Sequence, residues 1–162
     1  MNIDEQLTLI QRGTVETFTP DDLRKKLARG KPLRVKLGVD PTSPDIHLGH
    51  TVVLRKLRQF QDLGHQAVLI IGDFTARIGD PSGKKATRPR LTGAEIDANA
   101  KTYIEQIGKV VDVPKIEIVR NGDWLGKLTF QEIIELAAKF TVARILERED
   151  FTKRYKECTP IG

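Results

Sequence analysis

The chain has little cysteine and no long apolar run, and both absences narrow the class of protein. One cysteine, Cys158, stands among the 162 residues, so no disulfide can form within the chain. A single thiol fits a reducing compartment, and we therefore expect a cytoplasmic protein. The longest apolar run, residues 67–71, is far shorter than the roughly 20 residues of a membrane-spanning helix. The amino terminus does not have the pattern of a signal peptide.

Acidic residues are outnumbered by basic ones, 22 against 27, which gives a formal net charge of +5. This excess is compatible with a polyanionic partner, but many basic proteins bind no nucleic acid, so the charge alone identifies none. The hydrophobic fraction of 39% and the charged fraction of 30% are typical of a globular domain with its own core.

Strands and helices are predicted to alternate along the chain. Leu33, Val35, Leu37 and Val39 alternate with polar or small residues and predict a strand, and the run at 67–71 predicts a second, buried one. A third strand is predicted at 116–119, and helices at about 3–12, 20–29, 48–63, 92–109, 129–139 and from 141 onward. This order predicts an α/β fold in which a parallel sheet is flanked by helices.

Two details of this prediction concern the middle of the chain. The helix at 48–63 carries Val53, Leu57 and Phe60 on one face, which we take as its apolar face. Residues 73–91 are predicted to form a long loop, with a basic cluster of Lys84, Lys85, Arg88 and Arg90. These side chains form either a solvated basic loop or a flexible clamp for phosphate charge.

The segment between the first strand and the next helix carries the residues best suited to a binding site. It brings Asp40, Thr42, His47 and His50 to the carboxyl end of the strand, where open parallel sheets bind ligands. A helix start offers free amides to an anion, and Gly49 lets a flat ring approach the backbone. The two histidines can point the same way and donate hydrogen bonds to phosphate oxygens.

The same two histidines are also compatible with plain surface residues or with two ligands of a metal site. A metal site needs at least one more ligand, and neither Cys158 nor His65 stands at a spacing that recommends it. We therefore predict no metal held by the protein alone.

Several segments in a fixed order make this chain resemble the class I aminoacyl-tRNA synthetases, and within them the bacterial tyrosyl enzymes. The matching segments are 37–42, 47–50, 60–65, 71–76, 78–85, 121–125 and 141–146. The resemblance covers essentially the whole chain and implies the first half of a Rossmann-like class I synthetase catalytic domain.

The resemblance implies that the protein activates tyrosine with ATP and passes the tyrosyl group to tRNA(Tyr). Mg²⁺ is expected with the ATP, and a homodimer is the expected assembly. The implied ATP site comprises Gly38, Asp40, Thr42, His47, Gly49 and His50, with the histidines and Thr42 toward the phosphates. Asp80 is implied to bind the amino group of tyrosine, and Lys84 and Arg88 to grip the leaving pyrophosphate.

Three positions leave alternatives open. By residue type alone, Asp80 is more simply explained as a turn residue. Lys36 stands where some bacterial tyrosyl enzymes carry a pocket-lining tyrosine, so the residues that read the phenolic hydroxyl are undetermined. Asp73 is one candidate, and a cap on the following turn is the alternative.

The resemblance also divides the chain into a helical segment (1–32), half of the nucleotide-binding domain (33–128) and the start of a connective and dimer-interface region (129–162). The second ATP signature of the family, a Lys-Met-Ser-Lys-Ser type loop, would lie beyond residue 162. The competing hypotheses are a nucleotide-binding or structural fragment without ligase activity, a tryptophanyl-type relative, and a small nucleotidylyltransferase.

Overall fold

The computed structural model describes residues 1–78 and 91–161, which contain a three-stranded parallel sheet flanked by helices. The strands are β1 (Arg34–Val39), β2 (Gln66–Ile71) and β3 (Ile116–Arg120), in the order β1-β2-β3. The central strand β2 pairs in parallel with both neighbours. The predicted α/β class is confirmed.

Most helices lie close to their predicted positions, but the short helices Thr75–Ile78 and Gly122–Leu125 are not predicted from the sequence. The helices are α1 (Ile3–Gln11), α2 (Pro20–Leu27), α3 (Leu48–Asp62), α4 (Thr75–Ile78), α5 (Gly93–Ile107), α6 (Gly122–Leu125), α7 (Phe130–Ala137), α8 (Val142–Leu146) and α9 (Glu149–Lys156). The side chains of Thr19, Thr92 and Thr129 accept hydrogen bonds from the first turns of α2, α5 and α7, so local signals determine where these helices begin. None of the helices in the described ranges is long and apolar enough to cross a membrane.

The prediction of one long loop at 73–91 is wrong at its start. Helix α4 begins at Thr75, because the chain turns sharply at the end of β2 and Ala76 is buried. The basic cluster at 84–90 lies outside the described residues.

The main core lies between the sheet and two helices, α3 and α5. Its buried members on β2 are Ala67, Leu69 and Ile71, and they share one cluster with Leu54, Leu57, Ala100, Tyr103 and Ile107. The prediction that Val53 belongs to the apolar face of α3 is wrong: Val53 is 45% exposed, whereas Leu54 is 1% exposed. Leu54 and Leu57 pack in the main core, whereas Phe60 packs on a separate cluster formed by α1 and α2.

The last three helices make little contact with this core. Helices α7, α8 and α9 carry no buried residue. Phe130 on α7 is 78% exposed, and Ile133, Ile134 and Leu136 on the same helix are exposed as well. Helix α7 therefore presents an apolar surface that no other described residue covers.

A histidine connects the end of α3 to the start of the sheet. Gly64 takes a φ of +84°, which ends α3 and directs the chain toward β2. The backbone N–H of Leu33 then donates to Nδ1 of His65 (3.3 Å), and the N–H of Gln66 donates to the carbonyl of Leu33 (2.9 Å). Burial lowers the pKa of His65 below its ordinary value, and protonation of Nδ1 would remove the acceptor that Leu33 uses.

This arrangement predicts a loss of stability in acid. The contribution of His65 to the free energy of unfolding is complete above about pH 6.5, the ordinary pKa of histidine in an unfolded chain. It is lost as the pH falls below that value through the lowered pKa of the folded state, because the unfolded chain then binds the proton more readily.

His65→Asn supplies an acceptor near the position of Nδ1 but cannot be protonated in this range. We expect its stability to change less than that of the wild type between about pH 8 and about pH 5, measured by urea denaturation. His47→Asn is the matched control, since His47 is exposed. Equal pH dependence of the wild type and the His65 variant would contradict the assignment.

Candidate functional site

The carboxyl ends of the three strands meet at one edge of the sheet. The N–H of Gly72 donates to the carbonyl of Val39 (2.8 Å), and the N–H of Asn121 donates to that of Ile71 (3.0 Å). These bonds continue the parallel ladder one step past the strands. They bring Asp40, Gly72 and Asn121 side by side, at the edge where open parallel sheets bind ligands.

A chain of side-chain hydrogen bonds crosses this edge. The hydroxyl of Thr75 donates to Oδ1 of Asp40 (2.9 Å), and Nδ2 of Asn121 donates to the hydroxyl of Thr75 (3.0 Å). Oδ1 of Asn121 in turn accepts from the N–H of Phe74 (2.9 Å). Asn121 is 8% exposed, and both Oδ1 and Nδ2 of its amide are hydrogen-bonded. The amide therefore fixes the position of the Thr75 hydroxyl and, through it, that of the Asp40 carboxylate.

The sequence alone does not indicate a role for Thr75 or Asn121. A polar residue directly after a buried strand was the available signal, but it does not say which partner the side chain finds. The partners are 35 and 46 positions away in the sequence, and only the folded sheet brings them together.

Asp73 points away from this chain of hydrogen bonds. Its Oδ1 accepts from the N–H of Gly122 at the start of α6 (2.8 Å), and its Oδ2 lies 3.6 Å from Arg120. Arg120 also binds Asp97 on α5 (2.5 Å), and that hydrogen bond is the main cause that raises the pKa of the guanidinium. Asp73 therefore holds the start of α6, 49 positions away, and not the turn that follows it in the sequence, which was the predicted alternative. Tyrosine binding by Asp73 stays a prediction.

The two histidines at the start of α3 lie together, with ring centroids 4.1 Å apart. Nδ1 of His47 accepts from the N–H of Gly49 (3.1 Å), and Nδ1 of His50 accepts from the N–H of His47 (3.1 Å). A neutral imidazole that accepts at Nδ1 carries its proton on Nε2. Both rings therefore keep an Nε2–H donor available beside the exposed amino end of a 15-residue helix.

Gly49 is required by the geometry of the histidine cap. A Cβ atom at Gly49 would stand 2.9 Å from two atoms of the His47 ring. Any larger residue here would displace the ring that caps the helix, so Gly49 keeps the backbone open and the cap in place.

Of the remaining predicted residues, three lie in the described part of the chain and three lie outside it. Lys36 and Gly38 are exposed on β1, and a Cβ atom at Gly38 would meet nothing within 4 Å, so the space above it is open to a ligand. Thr42 is half-buried in the loop after Asp40. The predicted residues Asp80, Lys84 and Arg88 lie outside the described residues.

A resident metal site is not found in the described part of the chain. Among residues 1–78 and 91–161, no group of three His, Cys, Asp or Glu side chains could hold a metal ion. We therefore assign no protein ligand to a metal.

Comparison of the sequence with known proteins finds a matching family and similar relatives. A family model described as tRNA synthetases class I (W and Y) matches residues 28–162. The tyrosine–tRNA ligase of Moorella thermoacetica is 62% identical over 99% of this chain and 40% of the relative. That of Carboxydothermus hydrogenoformans is 60% identical over 100% of this chain and 41% of the relative.

A solved structure agrees with the fold. It is a C-terminally truncated mitochondrial tyrosyl-tRNA synthetase of Coccidioides posadasii, with a TM-score of 0.72 and 26% identity over 97% of this chain and 46% of that one. The chain spans about 40% of the length of the curated relatives described above.

The contact of Asp40 with Gly72 gives a direct test of the site geometry. A Cβ atom at Gly72 would overlap the Asp40 carboxylate and stand 2.6 Å from the Thr75 hydroxyl. We expect Gly72→Ala to lower the free energy of unfolding by about 1–3 kcal/mol, the usual cost of overpacking. Gly38→Ala is the matched control and should leave that free energy nearly unchanged, because its Cβ enters open space. Urea denaturation of both variants measures the difference, and equal effects would contradict the assignment.

Proposed function

The chain belongs to the class I tRNA synthetases (W and Y), and we propose that it is the amino-terminal catalytic part of a tyrosine–tRNA ligase. The observation that carries this proposal is the identity to tyrosine–tRNA ligases over nearly the whole chain. The paired Nε2–H donors at the start of α3 supply chemistry that suits a triphosphate.

In the proposed reaction a carboxylate oxygen of tyrosine attacks the α-phosphorus of ATP. The new oxygen–phosphorus bond forms as the bond to the bridging oxygen of the β-phosphate breaks, which releases pyrophosphate. The tyrosyl group then passes from the adenylate to tRNA(Tyr), and AMP leaves. No protein nucleophile is needed, so the protein acts by positioning the reactants and stabilising charge.

The histidines and the start of α3 are the groups that meet the phosphates in this proposal. Nε2–H of His47 and Nε2–H of His50 donate to phosphate oxygens as negative charge builds on them. Both rings are held by backbone N–H groups, so they need not reorganise during the reaction. The positive end of the α3 dipole adds to the same attraction, and the exposed backbone at Gly49 receives the adenine ring.

The other residues of the proposed site bind the adenylate and tyrosine. Gly38 and Asp40 line the adenylate, and Thr42 contacts the terminal phosphates. Oδ1 of Asp40 is held by Thr75, which supports a carboxylate of fixed direction.

Three further residues belong to the proposal on the strength of the family resemblance. Asp80 binds the ammonium group of tyrosine, and Lys84 and Arg88 grip the leaving pyrophosphate. We also propose that Lys36 and Asp73 lie near the phenolic end of tyrosine. Mg²⁺ is proposed to arrive with ATP and to be held mainly by phosphate oxygens and water, as is usual for this ion.

The proposed assembly is a cytoplasmic homodimer that binds tRNA(Tyr). The apolar surface of α7, formed by Phe130, Ile133, Ile134 and Leu136, supports an interface in this region. We also propose the division of the chain into residues 1–32, 33–128 and 129–162.

Tyrosine-dependent exchange between ATP and pyrophosphate tests the proposal in the protein that carries this chain. We expect exchange with tyrosine and none above background with tryptophan. Exchange with tryptophan alone would identify a tryptophanyl-type enzyme instead. No exchange with either amino acid in a folded protein would overturn the ligase proposal and favour the binding-fragment hypothesis.

His50→Asn separates the chemical role of this histidine from its structural one. Asparagine can accept the His47 N–H in place of Nδ1, so the cap is retained, but the Nε2–H donor is lost. We expect the exchange rate to fall by roughly 10²-fold, as for other lost donors to transition-state charge, with little change in Tm. His65→Asn is the control and should keep the wild-type exchange rate. Equal loss of exchange and Tm in the His50 variant would point to a structural residue.

A further inference from the structure

Loop 41–46, which joins β1 to α3, is held by one polar stripe on α5. The stripe consists of Asn99, Thr102, Tyr103 and Gln106, each of which lies three or four residues from another member. They lie about 60 positions away in the sequence from the loop residues that they contact.

The contacts cover the loop from one end to the other. Nδ2 of Asn99 donates to the carbonyl of Pro41 (3.1 Å), and the hydroxyl of Thr102 donates to that of Pro44 (2.6 Å). Gln106 makes three contacts: its Oε1 accepts from the N–H of Ile46 (3.0 Å), and its Nε2 donates to the Pro44 carbonyl and to Oδ1 of Asp45, both at 3.1 Å. The Tyr103 hydroxyl lies 3.3 Å from that of Ser43.

Helix α5 is a firm base for these contacts. The adjoining side of the helix buries Ile96, Ala100 and Ile107, and Tyr103 is itself almost fully buried. Arg120 at the end of β3 binds Asp97 in the first half of the helix. A loop bonded to this helix therefore takes its position from the core.

We expect the hydrogen bonds at the exposed middle of the loop to contribute little to global stability. Ser43, Pro44 and Asp45 are exposed, so water can satisfy the same loop atoms when the α5 side chains are removed. What water cannot do is select one loop conformation. That conformation decides where the chain reaches His47, and so whether the two imidazole caps at the start of α3 can form.

We propose that Gln106, with Asn99 and Thr102, is a positioning residue of the nucleotide site. It acts through loop 41–46 to hold the caps of His47 and His50, which aim their Nε2–H donors. The link from these donors to ATP rests on the proposed function, whereas the link from Gln106 to the caps does not.

Amide hydrogen exchange, read residue by residue in the full chain, tests the second link without ATP. The N–H groups of Gly49 and His47 donate to the two imidazole caps, so their exchange reports how often the caps open. We expect Gln106→Ala to speed exchange at both amides by about tenfold. This factor corresponds to the net free energy of roughly one hydrogen bond, because water replaces part of what the three contacts of Gln106 contribute.

Gln61→Ala is a matched control at the opposite end of the sheet. Gln61 on α3 also makes two hydrogen bonds to a loop backbone: its Nε2 donates to the carbonyl of Asp112, and its Oε1 accepts from the N–H of Asp112. We expect this variant to speed exchange at the Asp112 amide but not at Gly49 and His47, and Gln106→Ala to do the reverse. If Gln106→Ala fails to fold, Thr102→Val removes one loop contact with almost no change of shape, and a smaller rise at the same two amides is expected.

Titration with ATP adds the functional readout. The apparent Kd for ATP should rise about tenfold in Gln106→Ala with little change in Tm, because the site is competent in a smaller fraction of molecules. Unchanged exchange at Gly49 and His47, or equal acceleration in both glutamine variants, would overturn the positioning role. Absence of ATP binding by the wild type would instead contradict the proposed nucleotide site, and the exchange comparison would still decide the role of Gln106.

Discussion

The arrangement of the site depends on two backbone hydrogen bonds that continue the parallel ladder past the ends of the strands. They join Gly72 to Val39 and Asn121 to Ile71, and so bring the first residues after the three strands into one row. Two consequences follow from this closeness. Gly72 must lack a side chain because the Asp40 carboxylate occupies that space, and Asn121 can reach Asp40 through the hydroxyl of Thr75.

The start of α3 departs from the residue preference that the other helix caps follow. Helices α1, α2, α5, α7 and α8 begin at Asn or Thr, the residues that cap helices best. Helix α3 begins at a histidine, which is a weaker choice for a cap. The histidine pair caps with Nδ1 and keeps Nε2–H outward, so each side chain both caps the start of the helix and offers a donor. Departures from local consistency of this kind are expected at functional sites.

Much of the fold could be predicted from local patterns. The strands follow from alternation and from one continuous apolar run, and the helix starts from Thr capping residues, because these effects act within a few residues. The errors arose where distant parts of the chain compete. Leu54 and not Val53 faces the core beside the sheet, while Phe60 on the same helix packs with α1 and α2. Asp73 binds Gly122, which the sequence separates from it by 49 positions.

The sequence by itself determined the family, the order of the elements and the residues of the histidine motif, since each depends on residue types at short spacing. Only the tertiary structure decided which atoms those residues use and what holds them. The Asp40–Thr75–Asn121 chain and the hold of α5 on loop 41–46 join residues that are far apart in the sequence. Spacing along the chain cannot specify such contacts, because they exist only once the core has set the distance between sheet and helices.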